Sequence, residues 1–438
     1  MTSLQVGLLS IPVLLTLLFL RLPVAFVMIV VGMGGYAYLT STGAALSISA
    51  QTVYSNFSNY SLIVIPLFVW MGFIAYYSGL SSKIYDATYK LVGHLPGGLA
   101  MATIGACTAF GAICGSTTAT AATMSAVALP EMNRFNYSRS FSTASIASAA
   151  ILGVLIPPSV IFILYGVSTG ESIGLLFLAG IIPGILLMGL FMLAAFLRAI
   201  HNPAIAPPGP RVVLKEKLKA LLSGGMEVIL IFIVVIGGLF AGWFTPTEAG
   251  GVGAFATLLV SVARRSLSWQ GFSDSMSDAI RLSAMIMFLS AAAFVYGRFL
   301  AITGLPSAVA SLAVNIPLPS VVVLVAVLFV YFILGLFIDG LALVLMTTPI
   351  FYPVAVSLGF DPIWFGVIVV LALGMGVITP PVGANVYVVA GVAKGVDVME
   401  IFRGVWPYLL AIFLSIAILI AFPSIALFLP ELARANLK

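Results

Sequence analysis

Long apolar runs separated by short polar interruptions fill this chain from end to end. The stretches 223–243, 321–335 with its extension, and 407–429 approach or exceed the ~20 residues a helix needs to cross a bilayer. In the first half, apolar segments occupy 4–20 and 23–40, followed by a stretch (41–59) polar enough to predict a loop. A third span is expected over 60–80, then a mildly amphipathic stretch, 81–95. Two short apolar arms come next, 97–114 and 117–130, interrupted at Gly115-Ser116-Thr117-Thr118. A span broken at Pro157-Pro158 and an unbroken one at 173–197 close the half, and the pattern repeats from 225 to 429. The run 4–20 lacks a basic segment before it and a small-residue cleavage site after it, so it reads as a retained helix.

The repetition extends to individual residues. Gly153-Val-Leu-Ile-Pro157-Pro158 recurs as Gly376-Val-Ile-Thr-Pro380-Pro381, an offset of 223 residues (376 − 153). The same offset carries Pro23 onto Pro246, Leu95-Pro96 onto Leu318-Pro319, and Pro130 onto Pro353. Ser78-Gly79-Leu80 matches Thr303-Gly304-Leu305 at 225, a two-residue drift. Prolines in register over the whole chain mark a duplicated unit.

The short arms read as re-entrant hairpins with tips near the middle of the membrane, or as pairs of short full spans. Charge parity does not separate the two, because two crossings and none leave the flanks on the same side. Either way each half crosses an odd number of times, so the second is inverted relative to the first. The expected fold is an all-α integral membrane protein of two inverted-topology repeats, each with a re-entrant helical hairpin and a broken helix. The first repeat covers 1–198 (scaffold 1–95, hairpin 97–132, broken span 142–166, closing span 173–198). A basic cytoplasmic linker spans 199–222. The second repeat covers 223–430 (scaffold 223–317, hairpin 319–355, broken span 363–392, closing span 403–429).

Composition and charge sharpen this. Hydrophobic residues make up 62% of the chain and charged residues 7%, against about 25% charged in a soluble domain. Lipid must therefore be the solvent for most of the surface. The net charge of +5 reports topology rather than nucleic-acid binding. With the N-terminus outside, 15 of the 18 Lys and Arg fall inside, Arg434 and Lys438 fall outside, and Arg298 lies in a span. The positive-inside rule therefore puts both termini in the periplasm. Cys107 and Cys114 stand seven residues apart, roughly 10 Å of helical rise, too far for a disulfide. Both histidines, His94 and His201, fall in polar connections. This removes His-based chemistry from the membrane, and with it most intramembrane enzyme mechanisms.

The sequence resembles the large membrane subunit of tripartite ATP-independent periplasmic (TRAP) transporters. The resemblance rests on Leu22-Pro-Val-Ala-Phe, Gly115-Ser-Thr-Thr-Ala and Gly153-Val-Leu-Ile-Pro-Pro-Ser in the first half. In the second half it rests on Phe244-Thr-Pro-Thr-Glu-Ala-Gly, Phe337-Ile-Asp-Gly, and Gly376-Val-Ile-Thr-Pro-Pro-Val-Gly-Ala-Asn. It implies Na+-coupled secondary uptake of a small organic anion such as a C4-dicarboxylate, sialic acid or sugar acid. It also implies a periplasmic binding protein that delivers the substrate, a small membrane subunit of about four helices, and a scaffold against which an elevator domain moves in the bacterial inner membrane. A self-sufficient Na+/dicarboxylate symporter of related architecture is the alternative, and a channel fits paired broken helices less well than an occluded site.

The residues carry their own argument for ion binding. A proline pair inside a span removes backbone donors, and the freed carbonyls need partners that a cation can supply. Gly115, Ser116 and Thr117 facing Gly153 and Pro157 form the first candidate Na+ site. Asp339 and Gly340 facing Gly376, Thr379 and Pro380 form the second. Thr117, Asn385, Pro158, Pro381 and Arg298 are candidate substrate contacts. The alternatives are structural: proline breaks that merely kink helices, an Asp339 that caps the second arm, and an Arg298 that snorkels to the headgroups. Glu248, just after Pro246, fits a first-turn cap, and the basic run 211–219 fits a linker helix on anionic lipid.

Overall fold

A computed structural model of the chain describes residues 1–436; the expectation for Lys438 lies outside the described residues. Among them there is no strand. Six helices are long and apolar enough to cross a membrane, and the pair Arg139–Leu155 and Val160–Thr169, bent by 40° at its break, makes a seventh.

The two halves pass through the same order of elements. Helices Gly98–Cys114 and Thr117–Arg134 are joined by Gly115 and Ser116 alone, and helices Ser320–Gly335 and Gly340–Ser357 by a four-residue turn ending in Asp339. Each pair is followed by a broken helix, then by a long closing helix, Ile173–His201 or Val398–Ala421. His201, expected in a connection, is the exposed last residue of that closing helix. The second closing helix starts at Val398 rather than 403 because Asp397 caps it, its Oδ1 accepting from Met399 N at 3.1 Å.

One stretch changes class altogether. The stretch 41–59 is a helix, Thr42–Phe57, with a 3-10 turn at Tyr60–Ile63 behind it. Ser41 starts it by accepting from Ala44 N at 3.2 Å, the usual work of a serine N-cap. The helix buries Ala45, Ser49, Thr52 and Asn56, a small polar stripe at helical spacing. Asn56 Nδ2 donates to the Met287 carbonyl at 3.2 Å, and Ser290 Oγ donates to Asn56 Oδ1 at 3.0 Å. Hydrogen bonds and close packing, not apolar area, hold it on helix Trp269–Thr303, as in many membrane interfaces.

Helices Val24–Leu39, Thr42–Phe57 and Val64–Tyr77 pack on Trp269–Thr303, and Val64–Tyr77 also packs on Pro246–Ala263. Thr245 and Glu248 form a capping box, Thr245 N donating to Glu248 Oε2 at 2.8 Å and Glu248 N donating back to Thr245 Oγ1 at 3.3 Å. Glu248 is thus the structural cap its position implied. The linker folds back on the base of the first hairpin. Ser138 N donates to the Ile205 carbonyl at 2.9 Å, Gly209 N to the Gly93 carbonyl at 2.9 Å, and Lys217 Nζ to the Leu91 carbonyl at 3.2 Å.

Candidate functional site

The first hairpin tip is made by local rules. Gly115 ends its first arm with φ of 64°, a left-handed conformation that glycine adopts without strain. Ser116 then caps the second arm, its Oγ accepting from Ala119 N at 3.4 Å. At the second tip Asp339 takes the capping role, its Oδ2 accepting from Leu341 N at 3.0 Å. The two tips open on one cavity of about 430 Å3. Ser116, Thr117 and Thr118 line it from the first tip, Asp339 and Gly340 from the second, and Val154 and Val377 from the two breaks. Asp339 is its one acidic lining residue.

The first tip sits directly against the first break. A Cβ on Gly115 would stand 2.8 Å from the Pro158 carbonyl oxygen, and one on Gly153 would stand 3.2 Å from the Ser116 carbonyl oxygen. Both prolyl pairs, Pro157-Pro158 and Pro380-Pro381, have cis peptide bonds. Among the described residues, no hydrogen bond from the protein reaches the carbonyls of Ile156, Pro157 or Pro158. The same holds for Thr379, Pro380 and Pro381. Pro157 and Pro158 are buried, whereas Pro380 and Pro381 are exposed.

The remaining expected residues are spread more widely. Gly376 packs on the second hairpin, where a Cβ would meet the Gly335 carbonyl oxygen at 2.5 Å. Thr379 Oγ1 donates to the Met375 carbonyl at 2.7 Å. Asn385 is buried away from the cavity, with Nδ2 donating to the Ala147 carbonyl at 3.1 Å and Oδ1 receiving no hydrogen bond. Arg298 is exposed on helix Trp269–Thr303. It lies 12 residues beyond Ile286, the last cavity-lining residue of that helix, or about 18 Å along the axis. The structure does not bring Arg298 to the tips.

Reading along the chain missed two features. Gly111 and Gly335 are the glycines on which Gly153 and Gly376 lie; a Cβ at Gly111 would collide with Gly153 Cα. Their signal was their place, in the last turns of the two first arms. The other is Asp278, whose Oδ2 accepts from Tyr77 OH at 2.7 Å beside the first hairpin, in a cavity that Ser116 also lines.

A family model described as "Tripartite ATP-independent periplasmic transporter, DctM component" matches residues 11–425. The chain belongs to this family. It is 34% identical over 420 residues to the sialic acid TRAP transporter large permease protein SiaM of Vibrio cholerae, covering 95% of this chain and 97% of SiaM. It is 35% identical to the 2,3-diketo-L-gulonate TRAP transporter large permease protein YiaN of Escherichia coli, covering 95% of each. The fold is also that of the Alcanivorax borkumensis YdaH transporter, with a TM-score of 0.63 at 15% identity over 87% of this chain and 90% of that one. This DctM-family chain is thus a multi-pass transport permease and not an enzyme. In the cavity between the tips, hydroxyls, a carboxylate and helix ends converge.

Proposed function

We propose that the chain carries out Na+-coupled uptake of a small organic anion, a carboxylate handed over by a periplasmic binding protein. The reading is carried by the convergence of both tips and both breaks on one cavity of about 430 Å3, within the range of small-molecule sites. Hard oxygens suit Na+, and the Ser116 hydroxyl, the Asp339 carboxylate and the unpaired carbonyls of the two breaks are the kind of ligand a dehydrating cation needs. Helix N-termini at Thr117 and Gly340 favour the substrate carboxylate. The moving part is the pair of hairpins with their broken helices, and the fixed part is the set of helices around Trp269–Thr303. Relatives named for sialic acid and for 2,3-diketo-L-gulonate transport support an acidic sugar derivative or similar carboxylate. A small membrane subunit completes the system in the inner membrane.

The two halves run in opposite senses with both termini in the periplasm, which puts Lys217 in the cytoplasm. A Lys217→Cys protein labelled by an impermeant thiol reagent in intact cells would sink that orientation. The function itself is tested by reconstituting the chain with its small subunit and binding protein. Uptake of a labelled carboxylate should rise with an imposed inward Na+ gradient. Equal uptake with K+ in place of Na+ would overturn the coupling. Full uptake without the binding protein would instead identify a self-sufficient symporter.

A further inference from the structure

A second cavity, of about 440 Å3, lies beyond the first along the same two helices. Thr118 and Ala122 face the tip cavity, while Ala126 and Leu129 face the second one. These positions share one face of helix Thr117–Arg134 by their 4-4-3 spacing. On the opposing helix, Ala384–Val392, Val388 lines the first cavity and Val392 the second. The two cavities therefore follow one another along the same helix faces, about 16 Å by helical rise from Thr118 to Leu129.

The second cavity is basic. Arg139 and Lys394 line it, and no Asp or Glu does. Among the described residues, neither cation has a carboxylate within 4.0 Å. The nearby Asp397 spends its Oδ1 on Met399 N. Arg139 makes one long hydrogen bond, Nη1 to the Gly395 carbonyl at 3.5 Å. Lys394 itself has φ of 24°, a backbone conformation that side-chain-bearing residues rarely take. In the wall, Ser125 is fully buried and its Oγ has no hydrogen-bond partner. The neighbouring Ser142 and Thr143 donate to their own helix, to the Ser138 carbonyl at 3.1 Å and the Arg139 carbonyl at 2.7 Å. The unspent donors are thus the two cations, the Asn133 amide and the Ser125 hydroxyl, and all four suit an anion.

We propose that this cavity is an anion vestibule on the substrate path, where a carboxylate leaving the tip cavity meets Arg139 and Lys394 before release. This rests on the proposed function for the identity of the traveller, but the vestibule's field can be read without it. In a protein with Cys107 and Cys114 replaced by alanine, Val392→Cys supplies a thiol in the vestibule wall. Methanethiosulfonates of opposite charge, ethylsulfonate and ethyltrimethylammonium, then report the local potential as a ratio of modification rates. The ratio should favour the anion by about tenfold over that at an exposed position distant from the vestibule. Arg139→Gln with Lys394→Gln should abolish that preference, and Arg139→Lys with Lys394→Arg, which keeps both charges, should retain it. In the reconstituted system the Gln pair should slow turnover several-fold. A ratio unmoved by neutralisation, or unchanged turnover, overturns the proposal. An absence of carboxylate uptake in the unmodified system would count against the proposed function alone, since the reagent ratio does not depend on it.

Discussion

At the first tip, Gly115 lies on the Pro158 carbonyl and Ser116 on Gly153, with the proline pair buried. At the second, Asp339 opens on the cavity, a Cβ on Gly340 would stand 3.6 Å from Ile161 Cδ1 and 3.9 Å from Leu373 Cβ, and the proline pair is exposed. The same backbone device, a capped turn facing a broken helix, thus carries a buried proline pair in one half and an exposed one in the other. Its chemistry differs in step, since the first tip offers neutral oxygens and the second a carboxylate. A carboxylate at membrane depth costs about 3 kcal/mol on insertion scales, so the half that carries it has a reason to meet a cation. Read as copies of one unit, the two halves share a geometry and differ in the ligands they offer. On the proposed reading both sites take Na+, the first with neutral oxygens and the second with the Asp339 carboxylate.

The hardest way to break this comparison is to exchange the tips. Ser116→Asp with Asp339→Ser keeps composition but moves the charge to the half whose proline pair is buried, so uptake should fall more than tenfold. Wild-type uptake by the swapped protein would show the tips to be interchangeable. Accessibility should sharpen it next. Ile156 is 5% exposed and Val382 42%. On a background without Cys107 and Cys114, Val382→Cys should react with a polar maleimide about tenfold faster than Ile156→Cys. Similar rates would mean that the first break opens as readily as the second.

Smaller effects should come from the glycines beneath each break. Gly376→Ala drives a methyl into the Gly335 backbone, whereas Gly153→Ala meets first the Thr120 hydroxyl at 2.8 Å, which can turn aside. Both should destabilise by about 1–3 kcal/mol, as overpacking does, with Gly376→Ala the worse of the two in thermal melts of the detergent-solubilised protein. The reverse order would place the tighter seam in the first half.

The tips and breaks were legible because glycine, proline and capping residues announce backbone events directly, and because each occurs twice at the same offset. Helix Thr42–Phe57 was not, since Ser49, Thr52 and Asn56 are polar and a hydropathy reading expects polar stretches in water. Its 4-3-4 spacing of buried positions was the signal available. Asn385 and Arg298 show a second reason. A polar side chain in an apolar segment signals that something must satisfy it, but not what. Asn385 reaches the Ala147 carbonyl on a neighbouring helix of the other half, and Arg298 stands well away from the cavity on helix Trp269–Thr303. Gly111 and Gly335 went unread because a packing glycine and a turn glycine look alike until the partner is known.

The central claim is that Asp339 answers to Na+ and Ser116 only assists. The direct measurement is uptake against Na+ concentration for Asp339→Asn, Ser116→Ala and the unaltered chain, reconstituted alike. Losing a charged ligand is worth about 1.5–3 kcal/mol and a neutral one about 1. Half-saturation should therefore rise at least tenfold in Asp339→Asn, with reduced cooperativity, and about fivefold in Ser116→Ala. An Asp339→Asn protein with the unaltered chain's Na+ half-saturation and cooperativity would reduce Asp339 to a helix cap and contradict the account.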